Sequence, residues 1–161
     1  MAISGGYTIN HNAAYAGMVA DGQLLNTISR LNKGTVNILF GKGLVSDGDD
    51  GAKLPTATSA ANEFNGVLKY ELNRAHTDAA PDGALPKYDM TLVNTGVIWV
   101  TVLDDVDKDD AVYLRVGATG TGDFSGIVGT GATLGVLLPR AKFVSSAAAG
   151  TLVKISLGLG G

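Results

Sequence analysis

Apolar and polar positions alternate in short runs along most of this chain, and glycines punctuate many of the breaks between them. Thr35–Phe40, bounded by Gly34 and Gly41, and Gly43–Ser46 just beyond it are rich in β formers. Gly66–Leu72, Tyr88–Val93, Ala111–Val116, Thr133–Leu138 and Thr151–Leu157 extend the series. The strongest run is Thr95–Leu103, with Val97, Trp99 and Thr101 on one face and Ile98, Val100 and Val102 on the other. Apolar residues on both faces predict a central strand covered on two sides, with Trp99 in the core. Turn signals, Ser46–Gly48, Pro81–Gly83 and Gly120–Gly122, fall between the runs. No amphipathic helical run of a dozen residues is present; Leu24–Leu31 has the spacing for a short helix and Ser59–Phe64 for a single turn. Asp47–Asn65 and Asn73–Lys87 read as long surface loops. The expected class is all-β, an antiparallel β-sandwich or small jelly-roll-like barrel.

The first thirty residues break this pattern. Tyr7, Ile9, Tyr15, Met18, Val19, Leu24, Leu25 and Ile28 follow no single period, and Gly5, Gly6, Gly17 and Gly22 interrupt them. Asn10–Asn12 adds turn chemistry. Such a segment cannot bury its own apolar groups in one regular element, so it must lie against its own domain or a neighbouring subunit. The expected organisation is an extended arm, residues 1–30, followed by one β domain, residues 31–161. The expected interface residues are Tyr7, Ile9, Tyr15, Met18, Val19, Leu24 and Leu25, since aromatic and methionine side chains are enriched at interface cores. For Leu24 and Leu25, covering an open end of the domain itself is an equal alternative.

Composition narrows the picture. Charged residues are 17 % of the chain, against about 25 % in an ordinary globular protein. The 23 glycines suit short strands joined by tight turns. A formal net charge of −3 with no basic stretch disfavours nucleic-acid binding, which needs clustered cations to displace counterions. Cysteine is absent, which removes disulfides and thiolate metal sites. No secretory leader is visible, and the longest apolar run is too short to cross a membrane, so a soluble protein made in a cytoplasm is expected.

Candidate chemistry is sparse. Asp47–Gly51 and Asp104–Asp110 resemble calcium loops, yet an EF-hand needs glycine at position six and glutamate at twelve. Counted from Asp47 those positions hold Ala52 and Thr58, and from Asp105 they hold Asp110 and Val116. The runs read better as solvated turns. His11 and His76 are the only histidines, and no Gly-x-Ser-x-Gly elbow accompanies them. The glycines of 117–131 lack the Lys-Ser/Thr and the following helix of a phosphate-binding loop. No catalytic residue, cofactor or metal is expected.

The order of features carries a resemblance. Ala14-Tyr-Ala-Gly-Met-Val-Ala-Asp21 and Thr27-Ile-Ser-Arg30 precede Ile38-Leu-Phe-Gly41 and Gly43-Leu-Val45. Gly66-Val67, Tyr88–Val93, Gly96–Leu103, Asp109-Asp-Ala-Val-Tyr113, Thr133-Leu-Gly135 and a closing strand within Ala147–Ile155 follow. This series resembles the structural cement, or decoration, proteins of tailed-bacteriophage heads, over nearly the whole chain. The resemblance implies a non-enzymatic β domain on the outer surface of the capsid. It would clamp neighbouring major capsid proteins, as a homo-oligomer (dimer or trimer) at symmetric lattice positions. The loop Asn73–Lys87 is particular to this sequence. A carbohydrate- or host-surface-binding accessory of a phage head fibre or tail is the alternative; it requires exposed aromatics on one face.

Overall fold

The structure, a computed structural model, describes residues 14–22, 24–71 and 83–158. Eleven strands follow in order: β1 Asn26–Asn32, β2 Ile38–Leu39, β3 Gly43–Asp47, β4 Gly51–Lys53, β5 Phe64–Leu68, β6 Gly83–Ala84, β7 Asp89–Thr101, β8 Ala111–Arg115, β9 Phe124–Ser125, β10 Gly135–Phe143 and β11 Leu152–Leu157. Two single 3₁₀ turns, Ala61–Glu63 and Gly131–Thr133, are the helical elements among the described residues. The all-β class read from the alternating runs therefore holds.

Nine strands hydrogen-bond in the order β1-β4-β3-β5-β7-β11-β10-β8-β9, and β1 also pairs with β7. That additional pairing joins the ends of the β1-β4-β3-β5-β7 series into a small closed barrel. The first half of β7 serves it: Thr27–Leu31 of β1 pair antiparallel with Asp89–Val93, and Val67 and Leu68 of β5 pair with Val93 and Leu92. The second half of β7 leaves the barrel and pairs with β11, from Gly96 with Leu157 to Thr101 with Leu152. The chain then bends so that Val102 bridges Phe124 in parallel and the Leu103 amide donates to the Phe124 carbonyl at 2.9 Å. This brings β9 back toward β7 and curls β7-β11-β10-β8-β9 into a second ring.

Two buried clusters fill the two parts. Ile38, Phe40, Leu44, Ala52, Leu68, Ala84, Met90 and Leu92 make the smaller one. The larger contains Val45, Val67, Val93, Ile98, Val100, Phe124, Phe143, Val153 and Ile155. Neighbouring residues on three strands separate between them: Leu44 from Val45, Leu68 from Val67, Leu92 from Val93. Successive side chains on a strand point to opposite faces, so β3, β5 and β7 form a wall with a core on each side. This is why β7, read from the sequence as two strands, needs apolar residues along both faces.

Four sequence expectations are corrected. The short helix expected over Leu24–Leu31 is replaced by strand β1, because its β-branched Thr27 and Ile28 pair with β7 while Leu31 and Asn32 pair in parallel with β4. Residues 26–30 of the segment expected as an arm are thus part of the barrel. The expected loop Asp47–Asn65 contains β4, which the Gly48 turn (φ +73°) folds back onto β3. Trp99 is half-buried rather than a core residue, with the Lys154 ammonium 5.2 Å above its ring. Strand β10 continues past Leu138 through Pro139, where a shift of register between Leu137 and Lys142 leaves the missing N–H without consequence.

Candidate interface surface

Residues 14–22 run along the domain instead of extending from it. Gly17 donates its amide to the Trp99 carbonyl at 2.7 Å and accepts from the Tyr70 amide at 2.8 Å. Trp99 donates to the Met18 carbonyl at 2.9 Å and Ala20 to the Val97 carbonyl at 2.8 Å, with Val19 bridging Ile98 antiparallel. This stretch occupies one edge of β7 while β11 occupies the other. Glycine is required at its centre. Gly17 has φ +81°, and a Cβ there would meet the Leu68 carbonyl oxygen at 2.6 Å and the Gly41 nitrogen at 2.8 Å. Gly41 faces it with φ +79°, leaving no room for a side chain between the two backbones.

The backbone so pinned fixes where the sequence-derived interface residues sit. Tyr15, Met18, Leu24 and Leu25 are exposed, Leu24 most of all at 72 %. Val19 is half-buried and packs against the larger core, so it acts as the anchor of the stretch rather than part of its outer surface. Leu25 lies over Gly96, whose missing side chain makes its seat. Tyr7 and Ile9 lie outside the described residues.

Beside this stretch is an aromatic groove of about 520 Å³, lined by Tyr15, Ala16, Leu39, Phe40, Lys42, Tyr70, Thr101 and Asp123. Tyr15 stacks on Tyr70 with ring centroids 5.5 Å apart and planes 12° from parallel. Phe40 meets Tyr70 edge-on at 5.0 Å. Both arrangements suit the ring quadrupole. Leu39, 51 % exposed, stands at the rim. Lys42 pairs with Asp123 at 2.8 Å, so the two charged residues among the described lining neutralise each other. The sequence points to Tyr15 alone of this group. Phe40 and Tyr70 belong to different runs, and only the pairing of Gly17 with Tyr70 brings them to Tyr15.

The acidic runs do not converge on a cation. Lys33 pairs with Asp50, and Lys53 pairs with Asp47 at 2.9 Å. The hydrogen bond from Lys33 holds the Asp50 carboxyl below its usual range, and the same bond raises the Lys33 ammonium. Asp105 accepts from the Ala149 amide at 2.8 Å and Asp110 from the Asp107 amide at 2.9 Å, as turn carboxylates do. Asp104 accepts from the buried Arg115 guanidinium at 3.2 Å and from the Ser125 hydroxyl. Among the described residues no three metal-ligating side chains gather. His11 and His76 lie outside those residues.

In fold, the chain is similar to a chain from the capsid of Myoviridae phage XM1, with a TM-score of 0.69 at 13 % identity, over 98 % of this chain and 99 % of that one. It is also similar to the head fiber gp8.5 N base of bacteriophage phi29, with a TM-score of 0.47 at 14 % identity, over 83 % of this chain and 94 % of that one. No curated protein matches the sequence. The family model for structural cement protein (E217 gp24/Pam3 gp6) matches residues 3–158, and the chain belongs to that family of phage proteins.

Proposed function

We propose that this structural cement protein binds the outer surface of its phage head and ties neighbouring major capsid proteins together, acting by contact and without catalysis. The observation that carries this reading is the stretch from Tyr15 to Leu25. It presents Tyr15 and Met18 to solvent from a backbone held on the edge of β7, and Leu24 and Leu25 immediately before β1. Large apolar side chains on a rigid support need little ordering on binding, which keeps the entropic cost of association low. Tyr7 and Ile9 are assigned to the same interface from their sequence alone. Repetition over a symmetric shell multiplies a modest contact at each copy. A two- or three-fold arrangement of copies fits that symmetry.

Co-sedimentation with expanded capsids of the same phage tests the reading. The purified protein is expected to pellet with the shells at a saturating, fixed ratio. Recovery of all the protein in the supernatant would refute it.

A further inference from the structure

We infer that the turn at Ile127 and Val128, with Leu137 beside it, is a second contact with the shell. It seats on a major capsid protein next to the one that takes the Tyr15–Leu25 stretch, and Arg115 is the positioning residue that holds the turn in shape. The inference rests on the proposed function, since a copy that ties two neighbours together must touch both.

The outer face of β8 carries it. Val112 and Leu114 point into the larger core, so Tyr113 and Arg115 alternate onto the outer face, where a guanidinium ordinarily meets water. Arg115 is instead 3 % exposed, because the chain after β9 lies over it. Gly129, at φ +62°, passes so close that a Cβ there would meet the Arg115 Nη1 at 2.3 Å. Nη2 donates to both Asp104 carboxylate oxygens at 3.2 Å, but Nε and Nη1 have no partner among the described residues. The same network ties the roof down. The Ser125 hydroxyl donates to Asp104 and accepts from the Ile127 amide at 3.1 Å, and the Gly135 amide donates to the Val128 carbonyl at 2.6 Å. Ile127 and Val128 then stand 56 % and 53 % exposed; Leu137, two residues along β10 from Gly135 and on the same face, is also exposed. This roof is inside out: its cation is enclosed with donors unmet, and its branched apolar side chains lie in water. Enclosing the cation costs stability, and the exposed side chains forgo theirs until a surface covers them. Such a breach of ordinary packing marks a functional place in a fold. Tyr113, Ile127, Val128 and Leu137 carry no charge, so the surface that fits them is apolar. Strands β8 and β10 neighbour β9 and β11 rather than β7, which separates this contact from the stretch on the β7 edge and suits it to a second shell subunit.

The test uses the full chain with the photo-reactive residue p-benzoylphenylalanine at position 128 or at position 24, irradiated on expanded shells. Both positions are expected to link to major capsid protein. A link from position 128 only to another copy of this chain, or none from 128 while 24 links, would overturn the inference and leave the proposed function standing. Wild-type protein that stays in the supernatant would fail the proposed function and this inference with it. Val128→Asp, at an exposed position, should keep the denaturation midpoint yet weaken shell binding about tenfold. Replacing both members of the buried pair, Arg115→Met with Asp104→Asn, leaves no unpaired charge, so the midpoint should change little. Amide exchange at Ile127 and Gly135, whose N–H groups hold the turn, should quicken, and shell binding should weaken by a similar factor. Wild-type binding by Val128→Asp would overturn the contact, and wild-type binding by the double variant would overturn the role of Arg115.

Discussion

The two cores on either side of the β3-β5-β7 wall are built differently. The larger is deep: Phe124 and Phe143 are fully buried with valines and isoleucines around them. The smaller has fully buried Ile38, Leu44, Leu68, Met90 and Leu92, but its one ring, Phe40, lies at its edge against Tyr70, on which the half-exposed Tyr15 stacks. The larger core is interior filling. The smaller one passes gradually from core into surface, and its boundary is where Gly17 and Gly41 let the N-terminal stretch lie down. On the proposed function, the deeper core supplies stability and the edge where the N-terminal stretch lies supplies binding, with β7 common to both.

The sharpest way to break that comparison is to damage each side in turn. Phe124→Ala removes a buried ring from the larger core and should cost about 3–5 kcal/mol, read as a lowered denaturation midpoint with an unchanged slope. A loss under about 1 kcal/mol would mean that the deeper core is not the main source of stability. Gly17→Ala acts on the smaller side. A side chain in the left-handed region, pressed on the Leu68 and Gly41 backbones, should cost about 1–3 kcal/mol. The loss should appear as faster amide exchange at Trp99 and Tyr70, whose N–H groups donate to Met18 and Gly17. Uniform acceleration across β8 and β10 would contradict a local role.

Leu24→Ser should change stability by less than about 0.5 kcal/mol, since the side chain is largely in water. Shell binding in a sedimentation titration should nonetheless weaken. Unchanged binding would remove Leu24 from the interface.

The smallest expected effect is electrostatic. Asp50 titrates below its usual range when folded, so its contribution is present above that range and fades as pH falls through the lowered value. Lys33 titrates above its usual range, so its contribution is present below that range and fades as pH rises through the raised value. Both charged groups reach solvent, so Lys33→Met should flatten the pH dependence of Tm only slightly, and added salt should erase the difference.

Much of the fold is legible where alternation is strict. Ala111–Val116 and Thr151–Leu157 coincide with β8 and β11 to within a residue, because each has one clearly buried face. Gly-Ala-Lys at β4 gives no such signal; it is a strand because a turn and a parallel neighbour supply its partners. Leu24–Leu31 misleads for a related reason, since i, i+4 and i+7 spacing of Leu24, Ile28 and Leu31 also occurs by chance on a strand with two partners. The exposed apolar residues at 15, 18, 24 and 25 are visible as an aperiodic excess. The groove is not, because Phe40, Tyr70 and Asp123 reach it from distant runs through backbone pairing alone.

The structure also moves the boundary for dissecting the arm. A deletion through Asn26 would remove the Gly17–Ala20 pairing with β7 and the first residue of β1, whereas a deletion of residues 1–13 leaves both in place. The most direct measurement is therefore co-sedimentation of the full chain and of the protein lacking residues 1–13 with expanded shells, each first checked for cooperative unfolding. The full chain should saturate the shells, and the shortened protein, which keeps Tyr15, Met18, Leu24 and Leu25 in place, should unfold cooperatively at nearly the same temperature and still pellet with the shells. Recovery of the shortened protein wholly in the supernatant would contradict the claim that the stretch from Tyr15 to Leu25 carries the binding.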